Sequence, residues 1–383
     1  MKKIVVFLFA VSLLTVSACS EKILNVEITN ETSIEKKNEM ITVSWADLTQ
    51  KLSLQGENSI IILNETGSQI PYQILFKGMD VPQEVIFQVS LNPGEKAIYT
   101  IKTGKAETFV KKTHGRAVPE RKDDFAWEND RIAFRMYGPA LAKENPSNGV
   151  DIWLKRTDSL IIDKFYKDDL ENGLSYHVDH GLGLDCYKVA HTLGAGGIAP
   201  YINDSLFAGG FYTAAKVLDS GELRTAFELT YDSVPAADGK LFSQKMIITI
   251  DAGSQLNKAV VSYDGDFDKM QVAGGIWLHK EIGNIFENKD DGCIAYGETA
   301  TSDAGVPAGR NYIGVIFPDG VAGIKQQDEH LLAIADYNKG DEITYYFGGG
   351  WSKWGFDSDQ AWFDYIKDYA SNLKHCRLTV ILK

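Results

Sequence analysis

Val85-Ile86-Phe87-Gln88-Val89, the turn Asn92-Pro93-Gly94-Glu95, and Ala97-Ile98-Tyr99-Thr100-Ile101 follow one another in the amino-acid sequence. Two short runs with period-two alternation, separated by turn-forming residues, read as strands. The same grammar extends back through Ile41-Thr42-Val43-Ser44-Trp45, Ile60-Ile61-Ile62-Leu63 and Ile70-Pro71-Tyr72-Gln73-Ile74-Leu75-Phe76, with Asn64-Glu65-Thr66-Gly67-Ser68 as a second turn. Strands of this length bury one face each, so a small β-sandwich is expected over residues 24–106.

Residues 107–123 are rich in Lys, Arg, His and Thr without clear periodicity and are expected to be a linker. From residue 124 to 383 the strand pattern resumes with longer loops, in Arg131-Ile132-Ala133-Phe134-Arg135-Met136-Tyr137, Lys245-Met246-Ile247-Ile248-Thr249-Ile250, Tyr312-Ile313-Gly314-Val315-Ile316-Phe317 and Leu331-Leu332-Ala333-Ile334-Ala335. Asn338-Lys339-Gly340-Asp341 predicts a hairpin turn. One helix stands out near the end. Trp362, Tyr365, Ile366, Tyr369 and Leu373 fall at helical spacing, with Asp357 and Gln360 as a candidate capping box. The fold class is therefore all-β.

The 383 residues carry 39 Lys and Arg against 52 Asp and Glu, a net charge of −13. An acidic chain has no excess of cations to displace counterions from a phosphate backbone, so nucleic acid is not an expected partner. Residues 1–18 read as an export signal: Lys2 and Lys3, an apolar run, then Val16-Ser17-Ala18 before Cys19. That box resembles a bacterial lipoprotein cleavage site. Cys19 is the expected lipidated residue, residues 19–23 the tether, and the membrane a partner through the lipid, in the periplasm or at the outer membrane. Cys186, Cys293 and Cys376 remain, allowing at most one internal disulfide.

Candidate chemistry concentrates in two segments. In the first, residues 128–139, strand alternation puts Arg131, Arg135 and Tyr137 on one face, opposite Ile132, Phe134 and Met136. Guanidinium forks and a phenol suit an anionic or polyhydroxyl ligand; a solvated face paired with acids is the alternative. The second is Tyr176-His177-Val178-Asp179-His180-Gly181-Leu182-Gly183-Leu184-Asp185-Cys186-Tyr187-Lys188. Two His and two Asp within nine residues admit a divalent metal site drawn from His177, Asp179, His180 and Asp185, general acid/base catalysis, or a structural polar loop. The spacing matches no familiar ligand set. Gly194-Ala195-Gly196-Gly197 lacks the GxGxxG spacing, so a nicotinamide cofactor is not expected. His279 and Trp351 are further candidates, the first as a cleft residue and the second as a sugar-stacking platform.

Residues 128–139, 177–197 and 346–355 resemble the bacterial domain-of-unknown-function family 4861, and the resemblance covers most of the chain from about residue 24. Members are often exported and encoded among polysaccharide-degrading enzymes. The resemblance implies a β-sandwich of the galactose-mutarotase or supersandwich type. It also implies an oligosaccharide dehydratase of ulvan degradation, which takes water from a non-reducing-end glucuronate. That chemistry needs the sugar carboxylate neutralised, a base for the C5 proton and an acid for the departing C4 hydroxyl. Chemical inference gives neutralisation to Arg131 or Arg135 and draws base and acid from His177, His180 and Tyr187. Asp185 would orient a histidine, Lys188 would add charge, and Arg135, Tyr137, Asp185, Lys188, His279 and Trp351 would contact substrate. No cofactor is required, although a divalent ion on His177, Asp179 and His180 could replace the arginine clamp. The rivals are a lyase or hydrolase acting on acidic glycans, and a glycan-binding lipoprotein without activity.

Overall fold

A computed structural model of the chain describes residues 22–54, 59–143, 149–279, 283–375 and 378–383. Cys19 and Cys376 lie outside them. The architecture is all-β, a sandwich of the supersandwich type with a smaller N-terminal sandwich and a C-terminal helix. Among the described residues every strand ladder is antiparallel.

The N-terminal sandwich stacks a four-stranded sheet, in the order Thr379–Leu382, Ile23–Thr29, Lys96–Thr103 and Ile60–Leu63, on a three-stranded one, Lys36–Ser44, Glu84–Leu91 and Tyr72–Leu75. The turn at residues 92–95 carries the chain from one sheet to the other, with Gly94 at φ +72° and the Glu95 N–H donating to the Asn92 carbonyl at 3.1 Å. Both runs can therefore point Val85, Phe87, Ala97 and Ile101 into one core, which also takes Leu24, Val26, Ile41 and Ile62. The final strand pairs Leu382 with Val26, so residues 379–382 belong to the N-terminal sheet.

In the larger part an eight-stranded sheet runs from Ala214–Ser220 at one edge to Asn284–Asn288 at the other. It faces two five-stranded sheets, one built on Thr113–Val118, Asp124–Asn129, Ile132–Met136, Val150–Lys155 and Gly183–Asp185. The main core lies between these layers, with Phe134 and Ile152 meeting Phe227, Ile248 and Phe347. Within the stretch expected to be a linker, Thr113–Val118 forms a strand and pairs with Asp124–Asn129. Its mixed composition hides the strand, because Thr113, Gly115 and Val118 are buried while His114, Arg116 and Ala117 between them are partly or fully exposed.

The C-terminal helix, Asp359–His375, lays Trp362, Ile366 and Ala370 on Cys293, Ala295, Tyr312 and Ile316. Its cap is Ser358, whose Oγ accepts the Ala361 N–H at 3.2 Å, and Gln360 turns away to Asp364. The Asp357–Gln360 capping box is therefore not formed. Two further helices, Trp45–Leu52 and Ile162–Asn172, lie outside the strand reading. The second buries a narrow stripe of Ile162, Phe165 and Tyr166 against Trp153 and Tyr176, too few apolar residues to announce a helix in a polar run. Among the described residues no helix is long and apolar enough to cross a membrane.

Candidate functional site

Alternation along Ile132–Met136 holds: Ile132, Phe134 and Met136 enter the main core, and Ala133 and Arg135 point to the opposite face. That face is not solvated. Helix Ile162–Asn172 covers it, fixed by Glu128, whose carboxylate accepts the Ile161 and Ile162 N–H groups at 2.7 Å each and takes Lys155 Nζ at 2.6 Å. Both side chains of the Glu128–Lys155 pair are fully buried. Glu128 is thus a helix-terminus ligand and an ion-pair partner, with no oxygen left for a glycosidase pair.

Arg135 is consequently interior, 1% exposed. Its Nη2 lies 2.6 Å from Asp151 and 2.8 Å from Asp185, and its Nη1 donates to the Tyr176 hydroxyl at 3.0 Å. Tyr137 accepts from the same guanidinium at 3.2 Å, while Asp124 sits 4.0 Å from Arg135 and 3.2 Å from Arg121. Two guanidiniums face three carboxylates in a region without water's screening, so full ionisation leaves one uncompensated negative charge. Burial, reinforced by Asp185, pushes Asp151 up to about 7. Burial likewise raises Asp185 to about 6 against the pull of Arg135.

The loop after the helix starts at Gly173, in the left-handed region, and ends in the short strand Gly183–Asp185. Gly183 has φ +135°, and a Cβ there would stand 1.9 Å from the Leu154 carbonyl oxygen, so only glycine lets this strand reach its partner. The pairing sets Asp185 opposite Trp153 and next to Arg135. It also brings His177 onto Asp185: Nδ1 lies 3.1 Å from the Asp185 carbonyl oxygen, 3.4 Å from its carboxylate and 3.9 Å from Asp303. All of these are acceptors, so Nδ1 carries the ring proton. Nε2 faces no protein partner among the described residues, and the side chain is 32% exposed. His180 repeats the pattern on the same loop, with Nε2 3.0 Å from the Ser175 carbonyl oxygen and the residue exposed.

The metal candidates do not converge. Asp179 pairs with Arg156 at 3.2 Å and accepts the Gly181 N–H, while His177 and His180 turn to separate carbonyls. Among the described residues no three His, Cys, Asp or Glu side chains come together as a ligand group.

Three other sequence candidates sit in the core. Tyr187 is 2% exposed, its hydroxyl held between the Gly194 and Trp277 carbonyls at 3.1 and 3.2 Å. Arg135 and Trp351 are buried too, and Trp351 donates its indole N–H to the Ala308 carbonyl at 2.6 Å. An aromatic at the inner position of a strand ending packs with the core instead of offering a face to a sugar. Arg131 is partly exposed but stands apart from the histidine loop, its guanidinium 5.7 Å from the Trp354 ring centre. Lys188 is exposed. Its carbonyl faces His279 Nε2 at 2.9 Å, and His279 Nδ1 lies 2.8 Å from the buried Glu298. Glu298 continues through Asn311 to the Cys186 thiol. Residues 185–188 thus carry His177 at one end and His279 at the other. Cys186 and Cys293 are both free thiols.

Asp151, Glu298 and Asp303 escaped the sequence reading. The first two are acids at buried positions of mostly apolar strands, a signal that was present; Asp303 sits in a hairpin tip and gives none.

Residues 28–377 match the family described as "Domain of unknown function (DUF4861)". A protein of Formosa agariphila designated "Uncharacterized protein P7" is 28% identical over 398 residues, covering 97% of this chain and 98% of its own. Among solved structures, a protein in glycosyl hydrolase family 38 and an α-mannosidase, both from Enterococcus faecalis, superpose at a TM-score of 0.53 with 8% identity over 95% of this chain. The chain spans 48% and 46% of their lengths, about half of each. At that identity the likeness is one of fold.

Proposed function

The chain belongs to the DUF4861 family, and from that premise we propose that it is a carbohydrate-active oligosaccharide dehydratase acting on a non-reducing-end uronate of ulvan-type oligosaccharides. The observation that carries this reading is His177: anchored through Nδ1, open at Nε2 and partly exposed. An imidazole anchored this way holds its Nε2 in a fixed direction, which is what a general base requires. Family membership and a fold shared with glycosyl hydrolase and α-mannosidase structures support a sugar substrate.

In the proposed reaction His177 Nε2 takes the C5 proton. The C5–H electron pair forms the C4=C5 double bond, and the C4 hydroxyl leaves as water with a proton from His180. Lys188, exposed beside the segment that joins the two histidine sites, meets the uronate carboxylate in place of the interior Arg135. Asp185 and Arg135 position His177 from beneath and do not touch substrate. Residues 1–18 act as the export signal, Cys19 bears the lipid in the periplasm or at the outer membrane, and the larger part, from strand Thr113–Val118 to helix Asp359–His375, holds the catalytic unit.

The test is to incubate the protein lacking residues 1–19 with uronate-terminated oligosaccharides and follow mass and ultraviolet absorbance. Loss of one water at constant chain length, with a new conjugated double bond, is the expected result. Shortened products would replace this reading with a lyase or hydrolase, and binding without change would replace it with a glycan-binding lipoprotein.

A further inference from the structure

Between the N-terminal sandwich and the edge strand Ala214–Ser220 lies a cavity of about 700 Å³, lined by none of the residues of the histidine loop. Its volume falls in the roughly 300–1,000 Å³ range of small-molecule clefts, which favour seams between structural units. Buried polar side chains fix the walls. Gln73 accepts the Leu223 and Arg224 N–H groups at 2.9 and 2.8 Å and donates to the Arg224 carbonyl, while Asp219 accepts the N–H groups of Phe76 and Lys77 at 2.7 and 3.0 Å. The cavity is therefore held open by the same bonds that join the two parts of the protein.

Its lining combines two chemistries. Tyr72, Phe76 and Phe109 offer aromatic surface, with Phe76 39% exposed and the Tyr72 ring pinned by its hydroxyl on the Ile60 carbonyl. Glu107, Glu222 and Lys111 also line it, and among the described residues none of the three makes an ion pair. Aromatic faces take the C–H face of a pyranose, and unpaired carboxylates accept from its hydroxyls. Three carboxylates, Asp219 included, against one ammonium, on a chain of net charge −13, disfavour an acidic sugar.

We propose that this cavity is a second saccharide site that takes uncharged sugar units, separate from the histidine site. It rests on the carbohydrate-active reading above, but not on dehydration.

Calorimetric titration with mannotetraose, xylotetraose and cellotetraose, with a uronate-terminated oligosaccharide as the acidic comparison, tests it. The expected result is binding of at least one neutral tetrasaccharide that survives His177→Ala and weakens about tenfold or more in Phe109→Ala and in Glu222→Gln. Glu222→Gln preserves shape, so its effect is separable from misfolding. Absence of neutral binding, or neutral binding indifferent to both cavity variants, overturns the site. Tighter binding of the acidic oligosaccharide, lost in the cavity variants, overturns its charge selection. Dehydration of the acidic oligosaccharide is read separately, so either proposal can fail alone.

Discussion

His177 and Asp185 are joined twice, the imidazole Nδ1 lying 3.1 Å from the Asp185 carbonyl oxygen and 3.4 Å from its carboxylate. The backbone contact fixes the ring, and the side-chain contact couples it to Arg135 and Asp151 beneath. One partly exposed base therefore sits on a buried charged nest that cannot itself meet a sugar.

His177→Ala removes Nε2, the atom proposed to take the C5 proton. Turnover of a uronate-terminated oligosaccharide should fall about 10²–10⁴-fold while the unfolding midpoint changes little, since the side chain is partly exposed. Steady-state kinetics beside a thermal melt check it. Unchanged turnover would remove His177 from the role of base.

Tyr187→Phe should behave in the opposite way. The hydroxyl serves two backbone carbonyls inside the core, so its loss is expected to cost on the order of 1 kcal/mol in denaturant unfolding and leave turnover within a few-fold of the parent. A collapse of turnover with intact stability would place Tyr187 in the chemistry after all.

Asp151 gives the protein a pH-dependent stability of definite sign. Its carboxyl is raised from 3.8 to about 7 in the folded chain, so folding favours its protonated form. That contribution is full below about pH 4, shrinks across the interval, and is gone once pH has risen through about 7. Asp185 is raised in the same direction, to about 6, by burial against the pull of Arg135, and contributes to the same slope. Stability should therefore decline by a few kcal/mol between about pH 4 and 7. Asp151→Asn, neutral at every pH, should flatten that slope, as melts across the range would reveal; an equal slope in the variant would locate the titration elsewhere.

Glu128→Ala strands the Lys155 ammonium at full burial and uncaps helix Ile162–Asn172. The expected cost is about 3–5 kcal/mol in urea unfolding, the range for breaking a buried pair from one side. A loss below about 1 kcal/mol would mean that the helix and the ammonium find other partners.

Alternation in Val85–Val89, Ala97–Ile101 and Arg131–Tyr137, with turn residues between runs, was enough to read an all-β sandwich, and the 3.6-residue spacing of Trp362, Ile366 and Tyr369 was enough to place the last helix. Both signals are local, because side-chain period follows from backbone geometry alone. The concentration of His and Asp at residues 177–185 was legible for the same reason, being a matter of composition in one loop. What the tertiary structure decided was which side of each strand meets water. Arg135 shares its strand face with Ala133, as alternation requires, yet helix Ile162–Asn172 closes over that face and turns a candidate ligand clamp into a buried counter-ion. Tyr187 and Trp351 passed into the core likewise, because burial depends on layers brought together from distant parts of the chain. Asp151 met Asp185 only when Gly183–Asp185 paired with Val150–Lys155, a contact spanning more than thirty residues that no local pattern encodes.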